Sequence, residues 1–308
     1  MASPGIGIPL ERPFVHTVLG IQFWDPSIDE PITDGLNVTA QLQGTSYPVL
    51  NAFRTASGSY AFQGLPSLHD LEYPASDSQA APSPQQSFTF VISVADSLNR
   101  YLPALFAVDL PLNYSGLFLS NDSGSPSGLG GRAYLFSAPP RVVTVGTNVV
   151  RASLWDRDRN QPAAFAALQV SIAGKEWIGM ADDQGRAQIQ FPAPLLQSLS
   201  LGSPPGSGQG PTSSVSWPVQ VSVQYEPAQL RYLLKGLPDV PWPWNGTPSL
   251  KSILGEQAPA LIWQNESGPP APQWTGTLHY GTSLILRTAL NDPAQVSAVL
   301  QISQSTSP

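Results

Sequence analysis

The sequence contains no cysteine, which excludes several kinds of chemistry together. Disulfide frameworks, thiolate metal sites and cysteine nucleophiles all need a thiol. Histidine is also scarce: His16, His69 and His279 are far apart in sequence, and none has H-x-H or H-E-x-x-H spacing. No G-x-S-x-G nucleophile elbow occurs either. We therefore expect a protein that is not an enzyme and that has no cofactor and no bound metal.

Charged residues are also scarce in this chain. Charged residues make up 11% of the chain, with 14 basic and 21 acidic residues and a net charge of -7. Nucleic-acid binding needs clustered cations, so nucleic acid is not an expected partner. No apolar run is long enough to span a membrane, and the N-terminus lacks a basic segment followed by an apolar one. We expect a cytoplasmic protein without a signal peptide or membrane span.

What the chain has in abundance is proline and glycine, 33 and 26 of its 308 residues, together with 41% hydrophobic residues. This mixture is typical of short strands joined by many turns rather than of long solvated helices. The length indicates about two domains of ordinary size.

An internal repeat divides the chain in the same way. The segment GIQFWDPSIDEPITDGLNVTA (residues 20 to 40) has the same pattern as RASLWDRDRNQPAAFAALQVSIA (residues 151 to 173). In both, alternating apolar residues lead to Trp-Asp, a polar turn that ends at Pro, and a second alternating run. The two Trp-Asp pairs lie 131 positions apart, and the triplet Arg-Tyr-Leu at Arg100 recurs at Arg231 with the same offset. We interpret this as an internal duplication.

The alternation predicts about seven short strands in each copy, which is typical of a two-layer sandwich. The predicted fold is all-β: two tandem antiparallel β-sandwich domains with Pro/Gly-rich loops and one short C-terminal helix, with Ser249 as its N-cap. A single large β-barrel is the competing architecture. The predicted divisions are an extended arm (residues 1 to 13), a first sandwich (14 to 138), a linker (139 to 148), a second sandwich with a C-terminal extension (149 to 300) and a tail (301 to 308).

Residues 149 to 194 of the second copy resemble the carboxypeptidase regulatory-like domains of the transthyretin-type sandwich. The resemblance depends on the Gln161-Pro162-Ala163 turn, the strand from Leu168 to Ile172, and the Asp182-Asp183-Gln184-Gly185 turn followed by alternating residues up to Pro192. The first copy matches only in outline, through Gly58, Tyr60, Phe62 and Pro66. The resemblance implies a fold far more than a function.

The arrangement of the whole chain resembles accessory proteins of phage-tail-like contractile injection systems. The features involved are the order of the two sandwiches, the joint LFSAPPRVV, and the C-terminal segments LKSILGEQAPALIW and LHYGTSLILRT. The resemblance implies a non-enzymatic structural or adaptor subunit near the cap or baseplate. Its partners would be sheath, tube, cap or baseplate subunits, and it would be homo-oligomeric in the particle. It assigns no catalytic residue.

One local pattern is a candidate metal site. Asp156-Arg157-Asp158-Arg159-Asn160 begins like a calcium-binding loop, but Gln161 replaces the required Gly and two Arg side chains oppose a dication, so we interpret it as a solvated turn. The repeated Trp24 and Trp155 are predicted to fill the two cores.

The stiff PWPWNG segment carries Trp242 and Trp244, and Trp263 and Trp274 follow it. Aromatic residues on a rigid loop are suited to contact a partner, although they also suit a lid over an open sandwich end. These four residues are the predicted partner contact. The rival hypotheses are a carbohydrate- or surface-binding module, and an enzyme whose ionisable residues converge only in the folded structure.

Overall fold

A computed structural model of the protein describes most of the chain, and its core is an all-β fold in two tandem sandwiches. The described residues are 17 to 45, 47 to 73, 87 to 111, 133 to 193, 216 to 234, 246 to 292 and 295 to 304. The predicted N-terminal arm, Trp242 and Trp244 lie outside these ranges.

The described residues of the first sandwich form ten strands and one four-residue helix, α1, which the sequence did not predict. The strands are β1 (Leu19–Ile21), β2 (Phe23–Asp25), β3 (Glu30–Pro31), β4 (Leu36–Leu42), β5 (Leu50–Asn51), β6 (Phe53–Arg54), β7 (Tyr60–Phe62), β8 (Phe88–Asp96), β9 (Ala104–Leu110) and β10 (Ala133–Tyr134), with α1 at His69–Glu72. One sheet has the order β5-β4-β8-β9, and the opposing strands form the ladders β1-β7-β6 and β10-β2-β3.

The second sandwich also has ten described strands, and it contains the predicted helix, α2. The strands are β11 (Thr147–Asp156), β12 (Gln161–Pro162), β13 (Ala167–Ile172), β14 (Lys175–Met180), β15 (Arg186–Pro192), β16 (Ser216–Gln224), β17 (Pro259–Trp263), β18 (Trp274–His279), β19 (Ser283–Leu286) and β20 (Leu300–Ser303), with α2 at Leu250–Gly255. Ser249 is at the N-cap position as predicted, but its side chain accepts no capping hydrogen bond.

The strand pairing repeats between the two halves. In the first, Trp24 pairs with Pro31 across the β2-β3 hairpin, and in the second Trp155 pairs with Pro162 across β11-β12. The long antiparallel pair β4-β8 has its counterpart in β13-β16. These correspondences follow the 131-residue offset along β2 and β4, as the duplication predicts. The Arg-Tyr-Leu triplets do not correspond, because Arg100 follows β8 by four residues and Arg231 follows β16 by seven.

Each sandwich is closed by a parallel strand, which the prediction of antiparallel sheets did not include. β10 runs parallel to β2, and β20 runs parallel to the end of β11. The strand β20 includes residues 301 to 303, which had been assigned to a tail. Leu300 and Ile302 are fully buried, so these residues complete the second core.

Two other sequence expectations are corrected. A Tyr-Gly turn between two alternating runs predicts a hairpin at Tyr280-Gly281, but β18 pairs with β16 whereas β19 runs parallel to β11, so the turn joins strands that pair with different partners. Strand β11 begins at Thr147, two residues before the predicted start of the second domain.

The repeated Trp-Asp pairs are oriented opposite to the prediction. Trp24 and Trp155 are only half-buried, whereas Asp25 and Asp156 are 2% and 1% exposed. Alternation accounts for this, because Phe23 and Leu154 point into the cores and the residues two positions later must point the same way. The duplicated unit therefore buries a carboxylate rather than an indole.

The predicted turn at Asp182-Asp183-Gln184-Gly185 is confirmed, and it packs tightly. The Asp182 carboxylate accepts hydrogen bonds from the backbone N–H groups of Gln184 and Arg186, at 2.9 and 2.8 Å. Gly185 has a φ of 71°, and a Cβ there would lie 2.5 Å from the carbonyl oxygen of Leu154. Only glycine satisfies both the left-handed conformation and this close approach.

We expect Gly185→Ala to destabilise the protein by about 3 kcal/mol or more, because it adds a backbone clash to left-handed strain of about 1 to 2 kcal/mol. Gly174→Ala is the matched control, since Gly174 has a φ of 76° but no atom within 4 Å of the added Cβ. Thermal unfolding of both variants measures the difference. Equal melting temperatures would contradict the packing described for Gly185.

Candidate assembly site at the domain junction

The buried Asp25 carboxylate lies at the centre of a polar cluster in the first sandwich. Its two oxygens accept hydrogen bonds from the backbone N–H and hydroxyl of Ser27, at 2.8 and 2.6 Å, and from the Tyr101 hydroxyl at 2.7 Å. Both terminal nitrogens of Arg141 also donate to it, so the ion pair is bidentate. Every acceptor position on the carboxylate is therefore used, as a buried charge requires.

Arg141 makes this cluster a feature of the junction, because it belongs to the linker that follows the first sandwich. Its side chain is 8% exposed. One nitrogen also donates to the Ser137 hydroxyl at 2.9 Å, and the guanidinium carbon lies 4.8 Å from the centre of the Tyr101 ring. The start of the linker is thus fixed to the first sandwich by a desolvated ion pair.

The same part of the linker is also held by the second sandwich. Two glutamine side chains on β15 donate to its backbone: Gln188 to the carbonyl of Arg141 at 2.8 Å, and Gln190 to the carbonyl of Val142 at 3.2 Å. Both glutamines are buried, and Gln188 in turn accepts a hydrogen bond from Arg151 at 2.9 Å. Arg141 is therefore bonded to the first sandwich by its side chain and to the second by its backbone.

Helix α2 forms a second connection between the halves. It lies in the extension between β16 and β17, yet its apolar residues pack into the core of the first sandwich. The backbone of Ser249 forms a parallel bridge with Leu105 on β9. The residues from the second half that join the first core are Ala167, Met180, Leu250, Ile253 and Leu254.

A cleft of about 510 Å³ remains between the two sandwiches beside these contacts. Its walls are mainly apolar, from Leu102, Pro103, Phe165 and Met180. Asp183 also lines it. The two halves therefore enclose a shared space as well as a shared core.

The equivalent carboxylate of the second sandwich, Asp156, has its partners within its own domain, and one of them is the hydroxyl of Tyr225. It accepts hydrogen bonds from the backbone N–H groups of Asp158 and Arg159, at 3.0 and 3.2 Å, and from the Arg159 side chain at 3.0 Å. Burial raises the pKa of the neighbouring Tyr225 to about 12. The loop that resembled a calcium site is thus an aspartate-stabilised turn. The two copies use the same buried carboxylate, but only Asp25 bonds the linker.

The predicted aromatic partner contact is only partly described. Trp263, on β17, is 2% exposed, and its indole N–H donates to the Ser303 hydroxyl at 2.9 Å, so it contacts its own chain. Trp274 is half-buried against the second core and folds back over Gly276. Partner contact stays a prediction for Trp274, and for Trp242 and Trp244 outside the described residues.

The junction residues were not singled out from the sequence. The signal that could have found Asp25 is the alternation itself, which places it on the same face as Phe23. For Arg141, Gln188 and Gln190 the sequence carries no comparable signal, because their roles depend on how the two domains dock.

The described residues contain no group of three or more His, Asp or Glu side chains arranged to hold a metal ion. Neither α1 nor α2 has the length and hydropathy of a membrane-spanning helix.

No family model matches the sequence, and no curated protein matches it. Among solved structures, the chain is similar to the Bacillus anthracis TIE protein, with 9% identity and a TM-score of 0.22 over 86% of this chain and 44% of that one. It is also similar to the shaft pilin spaA of Lactobacillus rhamnosus GG, with 8% identity and a TM-score of 0.21 over 94% and 98% of the two chains.

A third structure is a C-terminal fragment of the pilus adhesin SpaC from Lactobacillus rhamnosus GG, with 10% identity and a TM-score of 0.20 over 94% and 96% of the chains. This chain spans less than half of the TIE protein chain. Likeness at these values carries no argument about function.

The Asp25 cluster predicts a pH dependence of stability. Burial alone would raise the pKa of Asp25, but the hydrogen bonds from Arg141, Ser27 and Tyr101 outweigh it and lower the pKa below the ordinary value of 3.8. A carboxyl group whose pKa is lowered by folding stabilises the protein above its ordinary pKa, and this contribution is lost as the pH falls through the folded pKa.

We therefore expect Asp25→Asn to cost about 3 to 5 kcal/mol of unfolding free energy at pH 7, since it leaves Arg141 buried without its counter-charge. The cost should shrink as the pH falls below about 4. The measurement is urea unfolding of the unaltered chain and of the variant between pH 2.5 and pH 7, and the result is the difference between their unfolding free energies at each pH. Asp34→Asn is the control, because Asp34 is 62% exposed in its pair with Arg100 and should cost about 1 kcal/mol or less. If the free-energy cost of Asp25→Asn did not change with pH, the account would be contradicted.

Proposed function

We propose that this chain is a non-enzymatic structural subunit, a rigid two-domain spacer that links neighbouring proteins in a large assembly. The observation that carries the proposal is the junction. Interfaces between domains of one chain commonly permit relative motion, and large apolar contacts are what prevent it. Here a buried ion pair, two buried glutamines and a shared core connect the same two domains.

Stiffness is useful in an assembly because a rigid subunit loses little conformational entropy when it is incorporated. In an enzyme, by contrast, the ionisable groups with strongly shifted pKa values are expected to face a substrate cleft. The two buried aspartates of the repeat form ion pairs within the chain instead: Asp25 with Arg141, and Asp156 with Arg159. This distribution favours a mechanical role.

The surface offers features that suit protein neighbours. Downstream of Arg141 the linker exposes three β-branched apolar side chains, and Val142 and Val145 are 84% and 100% exposed. Extended segments and sheet edges offer unpaired backbone groups that can add a strand from another chain. Among the described strands, β14 forms backbone hydrogen bonds with β13 alone, so it is a sheet edge. These surfaces support contacts with repeated subunits.

The finer proposal is that the assembly is a contractile phage-tail-like injection particle, with this chain at its cap or baseplate. It rests on the resemblance of the sequence segments described above. Its neighbours would be sheath, tube, cap or baseplate subunits, and several copies would be present in each particle. The protein would be made in the cytoplasm and assembled there.

Particle purification tests this proposal. Cells that produce the protein with an affinity tag are lysed, and particles are separated on a density gradient. We expect the chain to sediment with sheath and tube proteins, and electron microscopy with labelled antibody to place it at one end of the particle. Recovery only at the top of the gradient, as a free monomer, would overturn the assignment. Asp25→Asn should reduce incorporation, and Asp34→Asn should not.

A further inference from the structure

A second cavity, of about 670 Å³, lies in the second sandwich and shares no residue with the junction cleft. Its volume is within the range of small-molecule sites, about 300 to 1,000 Å³. It opens to the surface between the loop that follows β11, the loop that follows β17 and the segment that precedes β20. Its lining combines polar groups with proline: Arg157, Trp263, Glu266, Pro269, Pro270 and Asn291, with Ser267 and Gly268 between them.

Arg157 is held in this cavity in one orientation. Its guanidinium carbon lies 4.0 Å from the centre of the Trp263 ring, which is itself fixed by the bond to Ser303. One guanidinium nitrogen donates to the backbone carbonyl of Glu266 at 3.2 Å. Among the described residues this is the only hydrogen bond of the guanidinium group, and the group makes no ion pair there. Its remaining N–H groups are therefore available on a preorganised plane.

Glu266, next to Arg157 in the lining, supplies acceptors that are also fixed. Glu266 is anchored through its backbone N–H to the carbonyl of Ala289 at 2.8 Å, and one of its carboxylate oxygens accepts the backbone N–H of Asn291 at 3.3 Å. The Ser267 hydroxyl donates to the side-chain oxygen of Asn291 at 2.5 Å. The cavity thus presents a planar donor and a carboxylate acceptor that do not neutralise each other directly.

From this arrangement we propose that the cavity is a binding site for a neutral sugar ring. Adjacent hydroxyl groups of a sugar each donate and accept, so a diol can accept from the Arg157 fork and donate to the Glu266 carboxylate at once. The exposed faces of Pro269 and Pro270 suit the apolar C–H face of the ring. One positive and one negative side chain, Arg157 and Glu266, leave the lining without a net charge. This favours an uncharged polyhydroxyl ligand over a free anion or cation.

Binding is measured by saturation-transfer NMR and calorimetry on the full chain. The probes are the methyl glycosides of glucose, galactose, mannose and N-acetylglucosamine, with acetate and sulfate as anion probes. We expect at least one glycoside to bind. Arg157→Gln and Glu266→Gln should each weaken it by about tenfold or more, because each removes hydrogen bonds to a charged group.

Arg287→Gln and Glu176→Gln are matched controls on exposed residues and should bind as the unaltered chain does. Melting temperatures of all four variants show whether the fold is kept, and Arg157→Lys provides a second variant that retains the charge but loses the planar fork. Three outcomes would overturn the proposal: no glycoside binds, binding is unchanged in both cavity variants, or only acetate and sulfate bind in an Arg157-dependent way.

Discussion

The ion pair between Asp25 and Arg141 is the contact on which the relation between the two domains depends. A buried carboxylate is costly unless it is fully hydrogen-bonded, and Asp25 reaches that state only when Arg141 from the linker enters the first sandwich. The path of the linker is thereby fixed, and its backbone carbonyls are presented to Gln188 and Gln190. The path of the linker at the junction thus follows from satisfying one charge.

Comparison of the two copies shows how a duplicated unit acquired a junction. Both bury an aspartate two residues beyond a core apolar residue, at the end of β2 in the first copy and of β11 in the second. In the second copy Arg159 of the same turn and Tyr225 of the same domain satisfy that aspartate. In the first copy the arginine comes from the linker, more than a hundred residues away. The same requirement is thus met within the domain in the second copy and by the interdomain linker in the first.

The sequence predicted the features that depend on local pattern. Strand alternation, the turn at Gly185, the position of helix α2 and the internal repeat all leave periodic or conformational signals, and the structure contains each of them. The same alternation should have buried Asp25 and Asp156, but hydrophobicity was given more weight, and Trp24 and Trp155 were placed inside instead.

Features that depend on long-range docking left no such signal. The parallel closing strand β20 was missed because four residues near the C-terminus look like a tail until β11 is placed beside them. The cavity at Arg157 was missed for a similar reason: its lining comes from three segments that meet only in the folded domain. Its arginine belongs to the Asp156–Asn160 pattern, whose spacing suggests only a metal site.

A distance measurement between the domains tests the central claim most directly. Because the chain has no cysteine, Ser57→Cys and Thr277→Cys place spin labels at one exposed site in each sandwich without background. The account predicts one narrow distance distribution by pulsed electron paramagnetic resonance. It also predicts a broader distribution when Arg141→Met, Gln188→Ala and Gln190→Ala are combined. The control variant Arg287→Met should keep the narrow distribution. A broad distribution in the otherwise unaltered chain, or an unchanged one in the triple variant, would contradict a rigid junction held by these residues.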